Sequence, residues 1–222
     1  MPINKIVDDV DAALAGIGDD CVLLVSGFGG AGAPATLLEA LAAHKVRGLT
    51  VVSNNAGIGH EGLAALMAAG SVRRIICSYP RMQGSVVFND LYERGEIDLE
   101  LCPQGTLSER IRAGGAGIGG FYTRTGAETE LTEGREHRML GGHNHVFEEP
   151  LRGDFALLRA ARADRWGNLT YNKAARNYGP TMAMAATTTI AEVAEVVPLG
   201  SLDPEVIVTP GIFVQRVIEV RP

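Results

Sequence analysis

The chain has 222 residues with a formal net charge of −6, and 46% of its residues are hydrophobic, which is the composition of a folded domain with a sizeable core. Its 28 glycines cluster in short loops instead of recurring at a fixed period, so a collagen-like or low-complexity chain is excluded. The Lys and Arg residues form no basic stripe, and no apolar run suits a membrane span or a signal sequence, so we expect no nucleic acid, no membrane and a cytoplasmic location.

The first half of the chain alternates short apolar runs with segments of helical periodicity. Apolar residues at helical spacing predict a first helix over residues 3–15. Strands are predicted at 21–25, 49–53, 72–78 and 97–102, and helices at 35–43, 60–69, 85–94 and 106–113. The run 21–25 is apolar throughout, which is typical of a strand buried on both faces of a parallel sheet. The predicted fold class is therefore α/β, with a doubly wound, mostly parallel sheet flanked by helices.

This alternation is interrupted near residues 120–150, where glycines at 126, 134, 141 and 142 predict a loop-and-hairpin excursion. It resumes with strands at 155–160, 188–196, 206–208 and 213–220 and a helix at 180–186. Because no Ser- or Pro-rich linker and no charge block divides the chain, we expect one domain over residues 1–222. The three cysteines lie far apart in or beside apolar runs, so they are predicted to be reduced, buried and structural, with no metal site.

Residues 27–32 match the pattern G-x-G-x-x-G between a predicted strand and a predicted helix. Glycines let backbone N–H groups approach a pyrophosphate, and a helix N-terminus, here supported by Pro34, adds a favourable dipole. A nicotinamide dinucleotide also needs an acidic residue at the end of the second strand, where this chain has Ser53, Asn54 and Asn55. The sequence therefore disfavours an NAD(P)-binding oxidoreductase, and it leaves another phosphate-bearing ligand or a purely structural turn.

Neutral amides follow two of the predicted strands. Asn54 and Asn55 come directly after the strand 49–53, and Gln104 comes shortly after the strand 97–102. Parallel α/β sheets bind ligands at the carboxyl ends of their strands, where such amides can donate hydrogen bonds to a carboxylate without neutralising it. The residues alone leave the alternative that these amides cap their own loops.

Several segments resemble, in order and from about residue 5 to 219, the A subunit of family I 3-oxoacid CoA-transferases. They are Ser26–Pro34, Ser53–Gly57, Pro103–Gly117, Gly153–Ala156, Asp164–Tyr171, Ala175–Asn177 and Thr209–Arg216. The segments Gly62–Leu66, Cys77–Arg81, Asp164–Trp166 and Met182–Ala186 are most similar to 3-oxoadipate-directed members, with acetate- or acetoacetate-directed members as the alternative. The chain departs from the family pattern at Ser26, usually glycine, and at Arg124 and Glu128, which leave the shape of their loop open.

The resemblance implies a CoA-binding segment and a substrate-binding set. The CoA-binding residues would be Ser26, Gly27, Phe28, Gly29, Gly30, Ala31 and Gly32, and the substrate carboxylate and thioester oxygen would be held by Asn54, Asn55 and Gln104. No catalytic residue is expected in this chain, because the nucleophilic glutamate of these enzymes lies on the B subunit. Glu61 and the next two residues resemble part of the nucleophile motif, but they fall within the A-subunit pattern and lack its following glycine.

The implied activity is transfer of CoA from succinyl-CoA to a 3-oxoacid, most similar to the reaction on 3-oxoadipate, through a glutamyl-CoA thioester formed on the B subunit. The implied ligands are small carboxylic acids and acyl-CoA, with no cofactor, and the implied assembly is α2β2. The second carboxylate of 3-oxoadipate makes Arg81 a candidate for binding it, with a plain surface arginine as the alternative. Arg176 and Asn177 lie in a family-like motif without an assigned role. A catalytically silent binding module is the alternative from another class.

Overall fold

The computed structural model describes residues 3–220. The helices are α1 (Val10–Leu14), α2 (Ala35–Ala43), α3 (Leu63–Ala68), α4 (Val86–Glu93), α5 (Gln104–Ala116) and α6 (Gly179–Ala185). The strands are β1 (Val22–Val25), β2 (Leu49–Val52), β3 (Val72–Cys77), β4 (Asp98–Leu101), β5 (Phe121–Thr123), β6 (His137–Leu140), β7 (His143–Glu148), β8 (Gly153–Ala163), β9 (Leu169–Thr170), β10 (Ala186–Val196) and β11 (Arg216–Glu219). Within residues 3–220 no helix combines the length and the hydrophobicity that a membrane span needs.

Seven strands form a parallel sheet in the order β11-β10-β8-β1-β2-β3-β4, and the short strand β9 pairs antiparallel with β8. The chain winds from β1 to β4 on one side of β1 and returns through β8, β10 and β11 on its other side. The predicted doubly wound α/β fold is therefore confirmed. In such a sheet the ligand crevice lies at the carboxyl ends of the strands, where the strand order reverses. This point lies between β1 and β8.

Apolar layers cover both faces of the parallel sheet. Leu23 and Val25 pack in the layer that contains α2, α3 and α4, whereas Leu24 packs in the opposite layer, with α5 and α6. These three of the four residues of β1 are at most 1% exposed, as predicted for a strand buried on both faces. Because a one-residue slip would move Leu24 to the wrong layer, this packing fixes the register and with it the position of the strand ends.

Residues 121–148 contain a second, three-stranded antiparallel sheet in the order β5-β7-β6, in the segment where the sequence predicts a loop-and-hairpin excursion. Ion pairs attach this sheet to the parallel one. Arg110 of α5 contacts Glu100 of β4 at 2.6 Å and Glu148 of β7 at 3.7 Å, and Arg135 contacts Glu148 at 2.5 Å. Arg110 and Glu148 are both buried, so each charge depends on its partners to offset the loss of hydration.

The helix predicted at residues 3–15 is wrong in its first half. The helix α1 begins at Val10, and the side chain of Asp9 caps it by accepting a hydrogen bond from the N–H of Ala12 at 2.7 Å. The preceding residues are extended, and Ile6 pairs with Val217 of β11. Apolar residues at helical spacing therefore serve here as an extended segment beside an edge strand.

The strand predicted at residues 206–208 is also wrong. A 3-10 turn, Pro204–Val206, ends there, because Pro204 has no N–H to donate and Asp203 accepts a hydrogen bond from the N–H of Glu205 at 3.0 Å. The three cysteines are unpaired thiols, as predicted, but only Cys77 and Cys102 are buried, whereas Cys21 is half-buried. Cys77 is fully buried, and burial raises its pKa to about 12.

Candidate active site

A cavity of about 350 Å³ opens at the carboxyl ends of β1 and β2, where a doubly wound sheet binds its ligands. Its walls include Ser26 and Ser53 at the strand ends, the glycine loop (residues 27–32), the start of α2 and the segment 55–63. Asn55 and Glu61 also line it. The structure therefore places the predicted glycine loop and one of the predicted amides at the same cavity.

The glycine loop is held by its own backbone. Phe28 and Ala31 exchange two hydrogen bonds, of 2.9 and 3.1 Å, and the N–H of Gly27 donates to Oδ1 of Asn177 at 3.1 Å. Gly32 has a φ of +74°, and a Cβ there would lie 2.3 Å from the carbonyl oxygen of Ala175, so the loop needs glycine at this position. Three N–H groups of the loop are thus already donated within the protein.

The residue before the loop, Ser26, stabilises the loop by hydrogen bonds of its side chain. Its buried Oγ donates to the carbonyl oxygen of Gly32 at 2.7 Å and accepts from the N–H of Arg159 at 3.2 Å. A glycine, the usual residue of the family here, would lack both bonds. Serine therefore fixes the base of the loop rather than disturbing it.

The N-terminus of α2 is occupied by a protein carboxylate, so the dipole and N–H groups that the sequence offered to a phosphate-bearing ligand are already used within the protein. The N–H of Leu37 donates to Oε2 of Glu192 at 3.1 Å, and Arg159 contacts Oε1 of the same residue at 2.6 Å. Glu192 is fully buried. Burial raises its pKa, against the hydrogen bonds from Leu37, Arg159 and Thr36 that lower it. A charge within the apolar strand predicted at 188–196 was the available signal, because such a group must find a partner.

Asn54 and Gln104, predicted to act together, meet in the structure. Nε2 of Gln104 donates to Oδ1 of Asn54 at 3.0 Å, and the same oxygen accepts from Oγ of Ser78 at 3.0 Å and from the hydroxyl of Tyr178 at 3.3 Å. Gln104 is the first residue of α5, two residues earlier than the predicted helix start. Oδ1 of Asn54 is fully engaged, and its Nδ2 has no partner among residues 3–220, which leaves a donor for a ligand.

Asn55 caps its own turn and also contacts the glycine loop. Its Oδ1 accepts from the N–H of Gly57 at 2.9 Å, which caps its own turn, and its Nδ2 lies 3.4 Å from the carbonyl oxygen of Gly29. It also lines the cavity. The side chain therefore ties the end of β2 to the glycine loop, whereas Asn54 faces α5 and Tyr178.

Arg81 is exposed and does not line the cavity. Its guanidinium carbon lies 5.6 Å from the centre of the Tyr92 ring, within the range of a cation–π contact.

Arg124 and Glu128 line a second cavity, of about 510 Å³, together with His143 and Asn144. This second cavity shares no residue with the first. Neither arginine belongs to the glycine-loop cavity.

Residues 175–178 connect the two parts of the site, and the sequence assigned them no role. Asn177 bonds Gly27, while the hydroxyl of the next residue, Tyr178, reaches Oδ1 of Asn54 at 3.3 Å and the carbonyl oxygen of Gln104 at 3.4 Å. Burial is the main cause that raises the pKa of Tyr178 to about 12, so the hydroxyl stays protonated as a donor. Arg176 is exposed.

Comparison with known proteins assigns this fold and site to a class. The family model described as "Coenzyme A transferase" matches residues 7–220. The chain is 56% identical to the A subunit of 3-oxoadipate CoA-transferase from Pseudomonas putida, over 98% of this chain and 94% of the relative, and 52% identical to that of Acinetobacter baylyi, over 99% and 96%. The fold is similar to glutaconate coenzyme A-transferase from Acidaminococcus fermentans, with a TM-score of 0.86, 17% identity and coverage of 98% of this chain and 76% of the other.

An α/β sheet of this topology, with a glycine loop and paired amides at its carboxyl edge, is the framework of a CoA-transferase. The chain belongs to the coenzyme A transferase family, and within it to the A subunits of family I.

Proposed function

We propose that the chain is the A subunit of a CoA-transferase that moves CoA from succinyl-CoA to 3-oxoadipate. The observation that carries this proposal is the hydrogen-bonded pair of Asn54 and Gln104 at the carboxyl edge of the sheet, close to the cavity that Asn55 and the glycine loop line. The names of the relatives that are 56% and 52% identical support 3-oxoadipate as the acceptor.

In the proposed reaction the B subunit provides a glutamate whose carboxylate attacks the thioester carbonyl of succinyl-CoA. The C–S bond breaks, leaving a succinyl–glutamyl anhydride and the CoA thiolate. The thiolate attacks the glutamyl carbonyl and releases succinate, which leaves a glutamyl-CoA thioester. A carboxylate of 3-oxoadipate then attacks that thioester, and the expelled thiolate attacks the 3-oxoadipyl carbonyl of the new anhydride. This frees the glutamate, so one thioester replaces another without ATP or a cofactor.

The proposed contribution of this chain is to position the reactants and stabilise charge. Each attack places negative charge on a carbonyl oxygen, and one preorganised donor lowers such a barrier by about 3 kcal/mol. We assign Nε2 of Gln104 and Nδ2 of Asn54 as donors, and Asn55 as the residue that holds the glycine loop beside them. The proposed CoA-binding segment is Ser26, Gly27, Phe28, Gly29, Gly30, Ala31 and Gly32.

The proposal includes a separate B subunit, together with an α2β2 assembly and a cytoplasmic location. The relatives' designation as A subunits supports the partner. The side chains of the cavity also support a separate B subunit. Among residues 3–220, the only carboxylate that lines the cavity is Glu61, and this residue does not match the family's nucleophile pattern.

The test is reconstitution. The chain would be co-expressed with a B subunit of the family, and the purified complex assayed for transfer from succinyl-CoA to 3-oxoadipate, acetoacetate and acetate. Borohydride reduction of the complex loaded with succinyl-CoA, followed by peptide mass spectrometry, would locate the glutamyl thioester. We expect 3-oxoadipate to be preferred and the modified glutamate to lie in the B subunit. Transfer by the isolated chain, or modification of Glu61, would contradict the proposal.

A further inference from the structure

The glycine-loop cavity offers few of the features that bind phosphate. Three of the loop's N–H groups are donated to protein acceptors, and the N-terminus of α2 is satisfied by the buried carboxylate of Glu192. A phosphate site of this kind depends on free backbone N–H groups and an open helix N-terminus. The cavity therefore offers only part of a phosphate cradle: the N–H groups of Gly29, Gly30 and Gly32 have no acceptor among residues 3–220, but the helix N-terminus beside them is already occupied.

Most of its walls are apolar. They include the side chains of Val25, Ala33, Leu38, Ile58 and Leu63, which belong to β1, α2, α3 and the loops between them. A volume of about 350 Å³ lies at the small end of the range for ligand sites. These walls suit one uncharged portion of a long ligand, and not a polyanion.

The charge at the cavity has the wrong sign for phosphate. Glu61 is the only charged residue of the described chain that lines it. It is exposed, and its carboxylate makes no hydrogen bond or ion pair with another residue between 3 and 220. A carboxylate at this position repels phosphates and accepts hydrogen bonds from neutral N–H donors.

These observations rest on the proposed function and extend it. We propose that the cavity binds the neutral pantetheine arm of acyl-CoA, and that Glu61 is a specificity-determining residue. Its carboxylate accepts a hydrogen bond from an amide N–H of the arm and keeps the phosphates of CoA outside the cavity. The apolar walls enclose the arm's methylene and methyl groups, so the thioester end is directed towards Asn54 and Gln104.

The first experiment compares two donors in the reconstituted complex: succinyl-CoA, and succinyl-pantetheine, which shares the arm but lacks the phosphates. The change Glu61→Gln keeps the size of the side chain and weakens the acceptor. We expect it to raise KM for both donors by the same factor, about tenfold, with kcat nearly unchanged. A lower KM for succinyl-CoA alone would show that Glu61 faces the phosphates, and an unchanged KM for both would show that it contacts neither; both results overturn the proposal.

A second variant fills the cavity instead of changing its charge. Ala33→Leu adds three carbons to a half-buried wall, and Ala42→Leu is the matched control on a half-buried alanine of α2 that does not line the cavity. Isothermal titration of the complex with pantetheine and with 3′,5′-ADP needs no turnover. We expect Ala33→Leu to weaken pantetheine binding at least tenfold and to leave 3′,5′-ADP binding unchanged, and Ala42→Leu to change neither. The reverse pattern would overturn the proposal.

The two proposals fail separately. If the wild-type complex transfers CoA to no 3-oxoacid, the proposed function is wrong. The pantetheine titrations still test the role of the cavity in that case. A complex that transfers CoA but binds pantetheine equally well with Ala33→Leu keeps the function and loses this inference. Thermal unfolding of each variant shows whether it is folded.

Discussion

Oδ1 of Asn177 accepts a hydrogen bond at 3.1 Å from the backbone N–H of Gly27, a residue 150 positions earlier in the chain. Nδ2 of the same side chain donates to the carbonyl oxygen of Ala175 at 2.8 Å. Asn177 has a φ of 29° and a ψ of −125°, a backbone conformation that costs free energy in residues with a Cβ. The hydrogen bonds hold it there, with the hydroxyl of Tyr178 beside Asn54. One short segment thus positions the glycine loop and the amide pair together.

The hydrogen bonds and the backbone strain at Asn177 can be tested separately with two variants of this residue. Asn177→Gly removes the hydrogen bonds but tolerates the positive φ, whereas Asn177→Ala removes them and keeps the strain. We expect the free energy of unfolding to fall by about 1 kcal/mol for glycine and about 2 kcal/mol for alanine, measured by urea unfolding. Both variants should also raise KM for succinyl-CoA, because the loop loses its anchor. An alanine variant as stable as the glycine variant would show that the backbone there is not strained.

The amide pair makes a prediction about turnover. Gln104→Ala removes a proposed donor to the developing oxyanion, so we expect kcat of the reconstituted complex to fall by about 100-fold. Gln104→Glu keeps the shape but replaces the donor with a carboxylate, and it should lose at least as much. Tyr178→Phe removes only the hydroxyl that donates to Asn54, and we expect a loss of about tenfold or less. If Gln104→Ala raised KM and left kcat intact, Gln104 would bind the ground state only.

The sequence predicted most of the fold because its signals there are local. The helix expected at 35–43 is α2 itself, Ala35–Ala43, and the first four strands match their expected positions within a residue at each end. The meeting of Asn54 with Gln104 followed from one rule about the carboxyl ends of parallel strands. Each of these inferences needed only periodicity, punctuation by glycine, and strand order.

The features that the sequence did not predict depend on contacts with residues that are distant in the sequence. Ile6 is extended because β11 lies beside it, and the helix N-terminus expected to serve a phosphate is filled by Glu192, which is 155 positions beyond Leu37. No local pattern indicates such a neighbour. The charge of Glu192 within an apolar strand did signal that some partner exists, but it could not say which helix would provide it.

The ion pairs between the two sheets predict a dependence of stability on pH. Burial opposes ionisation of Glu100, but its hydrogen bonds and charge interactions with Arg110 and Arg74 outweigh burial and lower its pKa from 4.5. A carboxyl group whose pKa is lower when folded stabilises the protein above its unfolded pKa, and this contribution is lost as the pH falls through the folded value. Glu100→Gln should therefore cost about 1–3 kcal/mol at pH 7.

The cost of Glu100→Gln should shrink as the pH falls below about 4.5. Urea unfolding of both proteins at several pH values between 3 and 7 measures it. Asp98→Asn is the control, because Asp98 is exposed on the same strand and its carboxylate forms no ion pair with another residue in the described range. A difference between wild type and Glu100→Gln that stays constant with pH would mean that the ionised carboxylate is not the stabilising species.

The distal carboxylate of the proposed acceptor gives the last prediction. Arg81 lies over Tyr92, outside the glycine-loop cavity, so its proposed contact with 3-oxoadipate requires an acceptor that extends beyond that cavity towards the exposed segment after β3. Arg81→Met keeps the aliphatic stem and removes the charge. We expect KM for 3-oxoadipate to rise about tenfold and KM for acetoacetate, which has no second carboxylate, to stay constant. Arg73→Met, on an exposed arginine of β3, should change neither value. Equal effects of Arg81→Met on the two acceptors would mean that its charge acts on the shared part of the substrates and not on the distal carboxylate.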